Sequence, residues 1–482
     1  MKTKILLTAL ALSISLQFTQ AQYLVSATQM YNYSDIEVEY YLDLNGWDTS
    51  TMDLNGVISY SITYNTTDVF GNPTIASGAL YVSQCGNRMP LVSYQHGTQF
   101  IKSEVPSNEY YYETRGLLYS GNGFITTLPD YLGLGVNPGI HPYVHWESEA
   151  TASIDLIRAA REYFDTLQIE DNNQLFLAGY SQGGHSTMAL HKYITDNNLE
   201  NEFNVVASAP MSGPYDLSST TLDFLFGGPT YPRPQFFPYW GASYQYIYGN
   251  LYTNYDQYYD SPYDTIIADW IADGTYVPDL PENFYEFMQD SVVDNIKNNP
   301  NHPFRVDASY NDLYNWIPQE PVRMLYCTND HLVPFENSIL ARDTMNAQGA
   351  PDVQAIDVYP NGDHYECVIP AHTYSLDWFN SLSLKEECIL SIPSNKIQSK
   401  IILYPNPFST SIAIEYELSQ SGTVRLTIYN QLGGQVDSIE QSQAQGLNKI
   451  IWFAKNNLTN GIYYFKLQVG EQVATGKMVL MR

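Results

Sequence analysis

The sequence predicts an α/β domain with a mostly parallel sheet covered by helices, followed by a small all-β sandwich. Up to residue 388, short apolar runs typical of strands alternate with segments of helical period such as 150–167. This alternation predicts parallel pairing, because the connection between parallel strands must cross over a face of the sheet. Beyond residue 400 the sequence has only strand-like segments separated by turns, which predicts a separate all-β domain.

The elements of the first domain are predicted from the period of their apolar residues. Two segments alternate apolar and polar residues, as half-buried antiparallel strands do, at 57–64 and 77–82. Further strands are predicted from apolar runs at 90–94, 123–128, 173–178, 205–209, 322–326 and 353–358. Helices are predicted at 150–167, 181–194, 338–349 and 371–384.

One long segment, from about 213 to 320, interrupts the alternation and is crowded with Tyr, Phe, Trp and Pro. It is too long to be a single loop, so it predicts an inserted, largely helical cap. Its aromatic rings could line an acyl pocket or stack on sugars. The alternative is that Tyr replaces Leu and Phe in the core, since the 42 tyrosines are spread over the whole chain.

The C-terminal region begins with a polar stretch, which predicts a linker at 389–401. Alternating strands at 411–418, 423–429, 449–453 and 462–469, separated by turns, predict a sandwich of roughly seven strands over 402–482. By pattern alone this is an accessory module, of which a carbohydrate-binding domain is one kind.

Several short motifs of this region resemble the type A sorting domain of the type IX secretion system. They are YPNPF at 404–408, IYN at 428–430, NL at 457–458, GIYY at 461–464, and the residues Gly433 and Lys477. The resemblance implies export across an outer membrane by the type IX secretion machinery, normally with removal of the domain. We therefore assign it no catalytic role.

The composition and the N-terminus indicate an exported protein. The net charge of −29 argues against nucleic acid and anionic membrane surfaces as partners, since both need a basic patch. Residues 1–21 predict a signal peptide: a basic start, an apolar run at 5–16 and small residues before Gln22. No later segment has eighteen consecutive apolar residues, so no transmembrane segment is predicted.

The four cysteines, Cys85, Cys327, Cys367 and Cys388, allow three pairings. Cys327 and Cys367 lie three residues from a candidate catalytic acid and a candidate histidine, so one hypothesis pairs them and leaves Cys85 with Cys388. The alternative hypothesis is that the cysteines are free, buried thiols.

The strongest chemical motif is GYSQG at 179–183. It fits G-x-S-x-G, the sharp turn between a strand and a helix that exposes a nucleophilic serine, here Ser181. The flanking glycines are predicted because a Cβ on either would collide with the facing strand or helix. The alternative is an ordinary turn of small residues.

A serine hydroxyl needs a histidine to accept its proton and an acid to orient that histidine, here in the chain order Ser, acid, His. Asp330 is the predicted acid because it follows the strand 322–326 in a loop; its alternative role is a helix cap. His364 is the predicted base because it follows the last predicted strand. Asp363 is a weaker alternative acid, since adjacent side chains rarely form this hydrogen bond.

The other histidines fit the order less well. His185 is predicted to face away from the serine hydroxyl, His331 precedes the last strand, and His372 lies inside the final helix. The remaining histidines precede Asp330: His96, His141, His145, His191 and His302.

The oxyanion hole of such a site needs two backbone N–H donors. The predicted donors are Gln182, which follows the nucleophile, and Gly97 or Thr98, with Thr98 favoured, in the loop after strand 90–94. A plain turn at the end of that strand is the alternative.

Motifs of the first domain resemble the bacterial and fungal secretory-lipase branch of the α/β-hydrolases. They are SGALYV at 77–82, SYQHGT at 93–98, LPDYLGLG at 128–135, GYSQGGH at 179–185, TNDHLVP at 328–334 and NGDH at 361–364. The resemblance implies an α/β-hydrolase fold with Ser181, Asp330 and His364 as its triad, and no cofactor. Metal-binding motifs such as H-E-x-x-H or paired C-x-x-C are not found in the sequence.

These observations predict a secreted serine esterase or lipase over residues 22–388 that acts on acylglycerols or related small or lipid esters. A serine peptidase of the same fold acting on short peptides, and a polysaccharide deacylase, are the enzymatic alternatives. A cell-surface binding protein that retains the fold is the non-enzymatic one.

Overall fold

The structure of the chain, a computed structural model, describes residues 22–108, 114–385, 401–418, 420–430, 434–470 and 472–482. The predicted signal peptide, 1–21, and residues 389–400 of the predicted linker lie outside these ranges. The chain divides into two units, Met1–Glu387 and Cys388–Arg482. Among the described residues, no helix is long and apolar enough to cross a membrane.

The first unit is built on one sheet, which has nine strands in the described ranges. They are β1 Leu24–Tyr33, β2 Val57–Thr67, β3 Pro73–Ser83, β4 Arg88–Gln95, β5 Ile125–Pro129, β6 Glu170–Tyr180, β7 Val205–Met211, β8 Val322–Tyr326 and β9 Val353–Asp357. Their order across the sheet is β1-β2-β3-β5-β4-β6-β7-β8-β9. The pairs from β1 to β5 are antiparallel, and all the pairs from β5 through β4 to β9 are parallel.

The helices of the first unit, within the described ranges, either cover the sheet or belong to the segment between β7 and β8. They are α1 Asp35–Leu44, α2 Thr114–Gly121, α3 Trp146–Leu167, α4 Gln182–Asp196, α5 Leu222–Gly227, α6 Phe236–Tyr248, α7 Tyr263–Asp273, α8 Asp290–Asn298, α9 Pro303–Ser309, α10 Glu336–Ala347 and α11 Val368–Leu382.

Strand β6 shows why the apolar run at 175–178 predicts a strand that is buried on both faces. Phe176 and Ala178 belong to an apolar cluster with residues of α2 and α11, while Leu175 and Leu177 belong to a second cluster with residues of α3 and α4. Successive side chains of a strand point to opposite faces, so a continuous apolar run serves two helical layers. The predicted sheet with helices on both faces is confirmed.

The aromatic segment forms the predicted helical cap, inserted between β7 and β8. Helices α5 to α9 lie in it, together with a π-helical turn at Leu217–Thr221 and short 3-10 turns at Tyr255–Gln257 and Phe284–Glu286. Its rings pack mainly on one another: Trp240, Tyr244 and Phe304 are buried in one cluster with Trp270. The cap therefore uses much of its aromatic content for a core of its own.

The second unit is a sandwich of two antiparallel sheets with seven strands among its described residues. The strands are β10 Ile402–Tyr404, β11 Ser411–Leu418, β12 Gly422–Tyr429, β13 Gln435–Gln443, β14 Gly446–Phe453, β15 Gly461–Val469 and β16 Gln472–Leu480. One sheet has the order β10-β11-β14 and the other β13-β12-β15-β16. Ile414 and Trp452 of the first sheet share a buried core with Leu426 and Phe465 of the second, which confirms the predicted all-β sandwich.

A disulfide joins Cys327, directly after β8, to Cys367, directly before α11. The structure thus contains the pair named by the first hypothesis. Cys388, the predicted partner of Cys85, lies outside the described residues. The bond connects the two loops that carry Asp330 and His364.

We expect the double variant Cys327→Ala/Cys367→Ala to lower the free energy of unfolding by about 4 kcal/mol, because the bond closes a loop with a sequence separation of 40. Urea unfolding of the full chain, followed by tryptophan fluorescence, measures this change. A decrease below about 1 kcal/mol would contradict a structural role for the bond.

Candidate active site

Ser181 lies at the turn between β6 and α4 with a strained backbone. Its φ is 62° and its ψ is −121°, a region that L-residues with a side chain rarely adopt. Its N–H donates to the carbonyl of Met211 at 2.9 Å. The strand that precedes Ser181, β6, and the helix that follows it, α4, are the two elements predicted around the G-x-S-x-G motif.

The two glycines of the motif allow a close backbone approach. A Cβ on Gly183 would lie 2.0 Å from the carbonyl oxygen of Gln95, and one on Gly179 would lie 2.3 Å from that of Gly183. Real side chains do not tolerate these distances, so any other residue would push α4 away from β4.

The structure brings Ser181, His364 and Asp330 together in one line of hydrogen bonds. Nε2 of His364 lies 3.0 Å from Oγ of Ser181, and its Nδ1 lies 2.7 Å from Oδ2 of Asp330. With Nδ1–H donating to the carboxylate, Nε2 is left to accept the serine proton. The side chains of His364 and Asp330 are only 6% and 1% exposed, so water competes little for these bonds.

Asp330 is oriented by its own loop rather than by a helix. Its Oδ1 accepts hydrogen bonds from the N–H groups of Leu332 and Val333, both at 2.9 Å. The next helix, α10, begins at Glu336 with Phe335 at its N-cap, so the capping alternative for Asp330 does not apply. Oδ2 is thereby free to face the imidazole.

Asp363, the alternative acid, faces backbone instead. Its Oδ1 accepts from the N–H groups of Tyr365 and Glu366 at 2.8 and 2.9 Å. These backbone hydrogen bonds, that of Glu366 first, lower the pKa of Asp363. The carboxylate shapes the turn that carries His364.

Tyr180, which the sequence analysis did not single out, holds the histidine loop. Its hydroxyl donates to the carbonyl of His364 at 2.6 Å, and its ring lies 5.2 Å from the imidazole. Burial raises the pKa of Tyr180 well above its usual value, so the phenol remains a donor. In the sequence, the one sign of a role for Tyr180 is that it directly precedes Ser181 in the GYSQG motif.

Two of the rival histidines have other partners. Burial lowers the pKa of His372 to about 3, and this neutral ring lies between the carbonyl of Val368 and the hydroxyl of Tyr94. His185 points away from Ser181 to Glu149 and the carbonyl of Asn311, at 2.7 and 3.0 Å.

The predicted oxyanion donors belong to two segments close to Ser181. Gln182 is the first residue of α4, where backbone N–H groups have no partner within the helix. Gly97 passes so close that a Cβ on it would lie 3.7 Å from Cβ of Ser181. Thr98 follows it, lines the same cavity as Ser181, and is bound through Oγ1 to the hydroxyl of Tyr143 at 3.0 Å.

A buried polar network behind Gln182 was not found from the sequence. The side-chain Nε2 of Gln182 donates to Oε1 of Glu149 at 2.9 Å and lies 2.8 Å from Nε2 of His141. Burial lowers the pKa of His141 to about 4, so this ring is neutral and can accept. The partners are more than 30 residues apart in sequence, and only the fold brings them together.

Glu149 and His185 form the deepest part of this network, with side chains 1% and 0% exposed. The two ring nitrogens of His185 lie within hydrogen-bond distance of Oε2 of Glu149 and the carbonyl oxygen of Asn311. Because Asn311 belongs to the cap segment, the network connects α4 to the cap.

A cavity of about 330 Å³ opens over Ser181 and His364. Apolar side chains form much of its wall, namely Phe100, Phe236, Leu332 and Val368, and Arg115 and Arg233 also line it. Within the described ranges, no group of three or more His, Cys, Asp or Glu side chains is arranged to hold a metal ion.

The C-terminal unit matches a known family. Residues 402–481 match the secretion system C-terminal sorting domain, which confirms the resemblance to type IX sorting domains. This domain indicates that the protein is secreted or carried at the cell surface. The predicted signal peptide remains a prediction. No curated protein sequence matches the chain.

Solved structures of hydrolases are similar to the first unit. A Legionella pneumophila protein to which hydrolase activity has been attributed has a TM-score of 0.68 at 27% identity, over 75% of this chain and 98% of its own. The rice cell wall degrading esterase LipA of Xanthomonas oryzae has a TM-score of 0.66 at 28% identity, over 74% of this chain and 97% of its own. Candida antarctica lipase A has a TM-score of 0.56 at 15% identity, over 77% of this chain and 85% of its own. At this identity the similarity shows a common fold.

The family match covers the whole constellation described above. Residues 96–373 match the alpha/beta hydrolase family, a range that begins at the loop of Thr98 and contains Ser181, Asp330 and His364. This range is more than half of the 482 residues. The chain therefore belongs to the alpha/beta hydrolase family.

Proposed function

We propose that this hydrolase cleaves carboxylic esters with Ser181 as nucleophile, His364 as general base and Asp330 as the orienting acid. The observation that carries the proposal is the line from Ser181 Oγ to His364 Nε2 at 3.0 Å and from His364 Nδ1 to Asp330 Oδ2 at 2.7 Å. Its esterase relative from Xanthomonas oryzae supports the choice of ester.

In the acylation step, Oγ of Ser181 attacks the ester carbonyl carbon while Nε2 of His364 takes the hydroxyl proton. The imidazolium that forms is stabilised by the carboxylate of Asp330, which the N–H groups of its own loop hold in place. Negative charge develops on the carbonyl oxygen, where the N–H groups of Thr98 and Gln182 would donate to it.

Collapse of this intermediate breaks the bond to the alcohol oxygen, and Nε2–H of His364 protonates that oxygen as it leaves. The acyl group remains on Ser181. A water molecule then attacks the acyl-enzyme while Nε2 accepts its proton, and the carboxylic acid is released with the serine restored.

The substrates proposed first are acylglycerols or related carboxylic esters, because apolar side chains form much of the cavity wall. A polysaccharide deacylase is a second candidate, favoured by the similarity to an esterase that degrades rice cell walls. The N-terminal leader and the C-terminal sorting domain would direct the enzyme out of the cell, through the type IX machinery.

We expect Ser181→Ala and His364→Ala each to lower kcat/KM by about 10⁵-fold or more, and Asp330→Asn by about 10⁴-fold. Asp330→Asn costs less because the serine and the base remain, although the ring loses its orienting charge. Hydrolysis of p-nitrophenyl butyrate by the purified variants, with circular dichroism to check the fold, measures these losses.

A serine outside the site provides the matched control. Ser381 is exposed on α11 and donates to the carbonyl of Trp378, so Ser381→Ala should retain full activity. Activity of Ser181→Ala within about tenfold of the unsubstituted enzyme would refute the nucleophile assignment.

We further expect short acyl chains to be preferred. A cavity of about 330 Å³ is at the lower end of small-molecule sites, so acetyl and butyryl p-nitrophenyl esters should exceed the palmitoyl ester in kcat/KM by more than about tenfold. The ladder from acetyl to palmitoyl should be run beside a proline-amide peptide. Cleavage of the peptide in preference to every ester would instead support the peptidase, and cleavage of neither would support a binding protein.

A further inference from the structure

The active-site cavity differs in charge from the chain as a whole. The protein has 51 acidic and 22 basic residues, yet among the described residues that line this cavity two are arginines and none is acidic. Local charges dominate at short range because salt screens the distant ones beyond roughly 8 Å. The charged side chains among the described lining residues are therefore basic, although the protein as a whole is acidic.

Arg233 is one of these two arginines, and its guanidinium packs against Tyr365. Its Nε donates to the hydroxyl of Tyr365 at 3.0 Å, and its guanidinium carbon lies 5.8 Å from the centre of that ring. In the part of the chain that the structure describes, this hydroxyl is its only hydrogen-bond partner. The two terminal nitrogens remain available as a fork, the geometry that binds a carboxylate with two hydrogen bonds.

The position of Arg233 indicates which half of an ester it meets. Tyr365 directly follows His364, and Nε2 of His364 must reach the alcohol oxygen to protonate it. The ring of Tyr365 lies 5.9 Å from that of His364, so an alcohol half that extends past the imidazole toward Tyr365 would meet Arg233. The carbonyl oxygen of the ester would accept from the N–H groups of Thr98 and Gln182.

A neutral alcohol would gain little from this arrangement. A guanidinium beside an uncharged glyceride exchanges its water only for hydrogen bonds to neutral oxygens, which contribute little net free energy. A carboxylate on the alcohol half would instead exchange water for a charge-assisted, bidentate contact. The ring of Tyr365 reduces the side-chain freedom that Arg233 would otherwise lose on binding.

We propose that the site selects esters whose alcohol half carries a carboxylate, and that Arg233, positioned by Tyr365, is the specificity-determining residue. This inference rests on the proposed ester hydrolysis and narrows its substrates from carboxylic esters in general to acidic ones, which it ranks above neutral acylglycerols. Acidic sugars acylated on a hydroxyl have this chemistry.

The test uses two pairs of acetate esters that differ in charge but hardly in shape. They are 4-acetoxybenzoate with 4-acetoxybenzamide, and the two corresponding 3-acetoxy compounds. For the full chain, the ratio of kcat/KM for the anion to that for the amide should fall about tenfold in Arg233→Gln. Because the ratio is compared between variants, the intrinsic reactivity of each ester cancels.

Two further variants distinguish the effect of the arginine in the cavity from the effect of a positive charge elsewhere on the protein. Arg342→Gln removes the same charge from α10, where Arg342 pairs with Asp343, and should leave the ratio unchanged. Tyr365→Phe keeps the ring and removes the hydroxyl, so it should lower the ratio less than Arg233→Gln does. High salt should lower the ratio of the unsubstituted enzyme toward that of Arg233→Gln.

The outcomes distinguish this inference from the function on which it rests. If both members of each pair are cleaved in a Ser181-dependent way but Arg233→Gln leaves both ratios unchanged, the specificity is refuted and the esterase stands. An equal fall in Arg342→Gln would also refute it. If no ester is cleaved, the proposed function itself is refuted.

Discussion

The close approach of α4 to β4, made possible by two glycines, is the constraint on which the rest of the site depends. Gly183 comes so near the carbonyl of Gln95 that only hydrogen fits. The chain can therefore turn from strand to helix within one residue, and that residue, Ser181, takes a φ of 62°. Strain of this kind costs about 1–3 kcal/mol. This conformation is held by the hydrogen bond from Ser181 to Met211 and by the buried strands on both sides, so Ser181 is positioned by the backbone rather than by its own side chain.

The other two members of the constellation are held by different means. Asp330 and His364 lie on loops after neighbouring strands, β8 and β9, so parallel pairing brings them to one edge of the sheet. Local contacts then set their orientation: two N–H groups of its own loop for Asp330, and the hydroxyl of Tyr180 for the carbonyl of His364. The disulfide adds a covalent link between the same two loops. The turn that carries Ser181 is thus rigid, and the two loops that carry Asp330 and His364 are each fixed next to the strand that they follow.

Strands and helices whose apolar residues recur with a clear period could be predicted from the sequence. Elements without such a period could not. Strands β8 and β11 have the predicted bounds, because each is a short apolar or alternating run with turns on both sides. Strand β1 was not predicted: it lies at the edge of the sheet, and most of its residues are half-buried or exposed. Helix α1 was missed because only Val38 and Leu42 are buried among acidic residues and tyrosines.

For the candidate site, the order of serine, acid and histidine predicted which side chains would lie together. The contact of Gln182 with Glu149 joins residues that no local pattern relates, and only the fold reveals it.

In the cap, the residues that form its core differ from those that line the cavity, and this difference matters for substrate specificity. Its buried rings pack mainly on one another, so an aromatic-rich composition is not by itself a sign of an aromatic binding surface. The cavity over Ser181 is lined by a smaller set of residues from the cap and from loops, Phe236 and Arg233 from the cap among them. Because buried rings fix the cap from within, substitutions at Arg233 can change the charge of the cavity without disturbing that core. The lining of the cavity can thus vary while backbone geometry keeps the arrangement of Ser181, Asp330 and His364 constant.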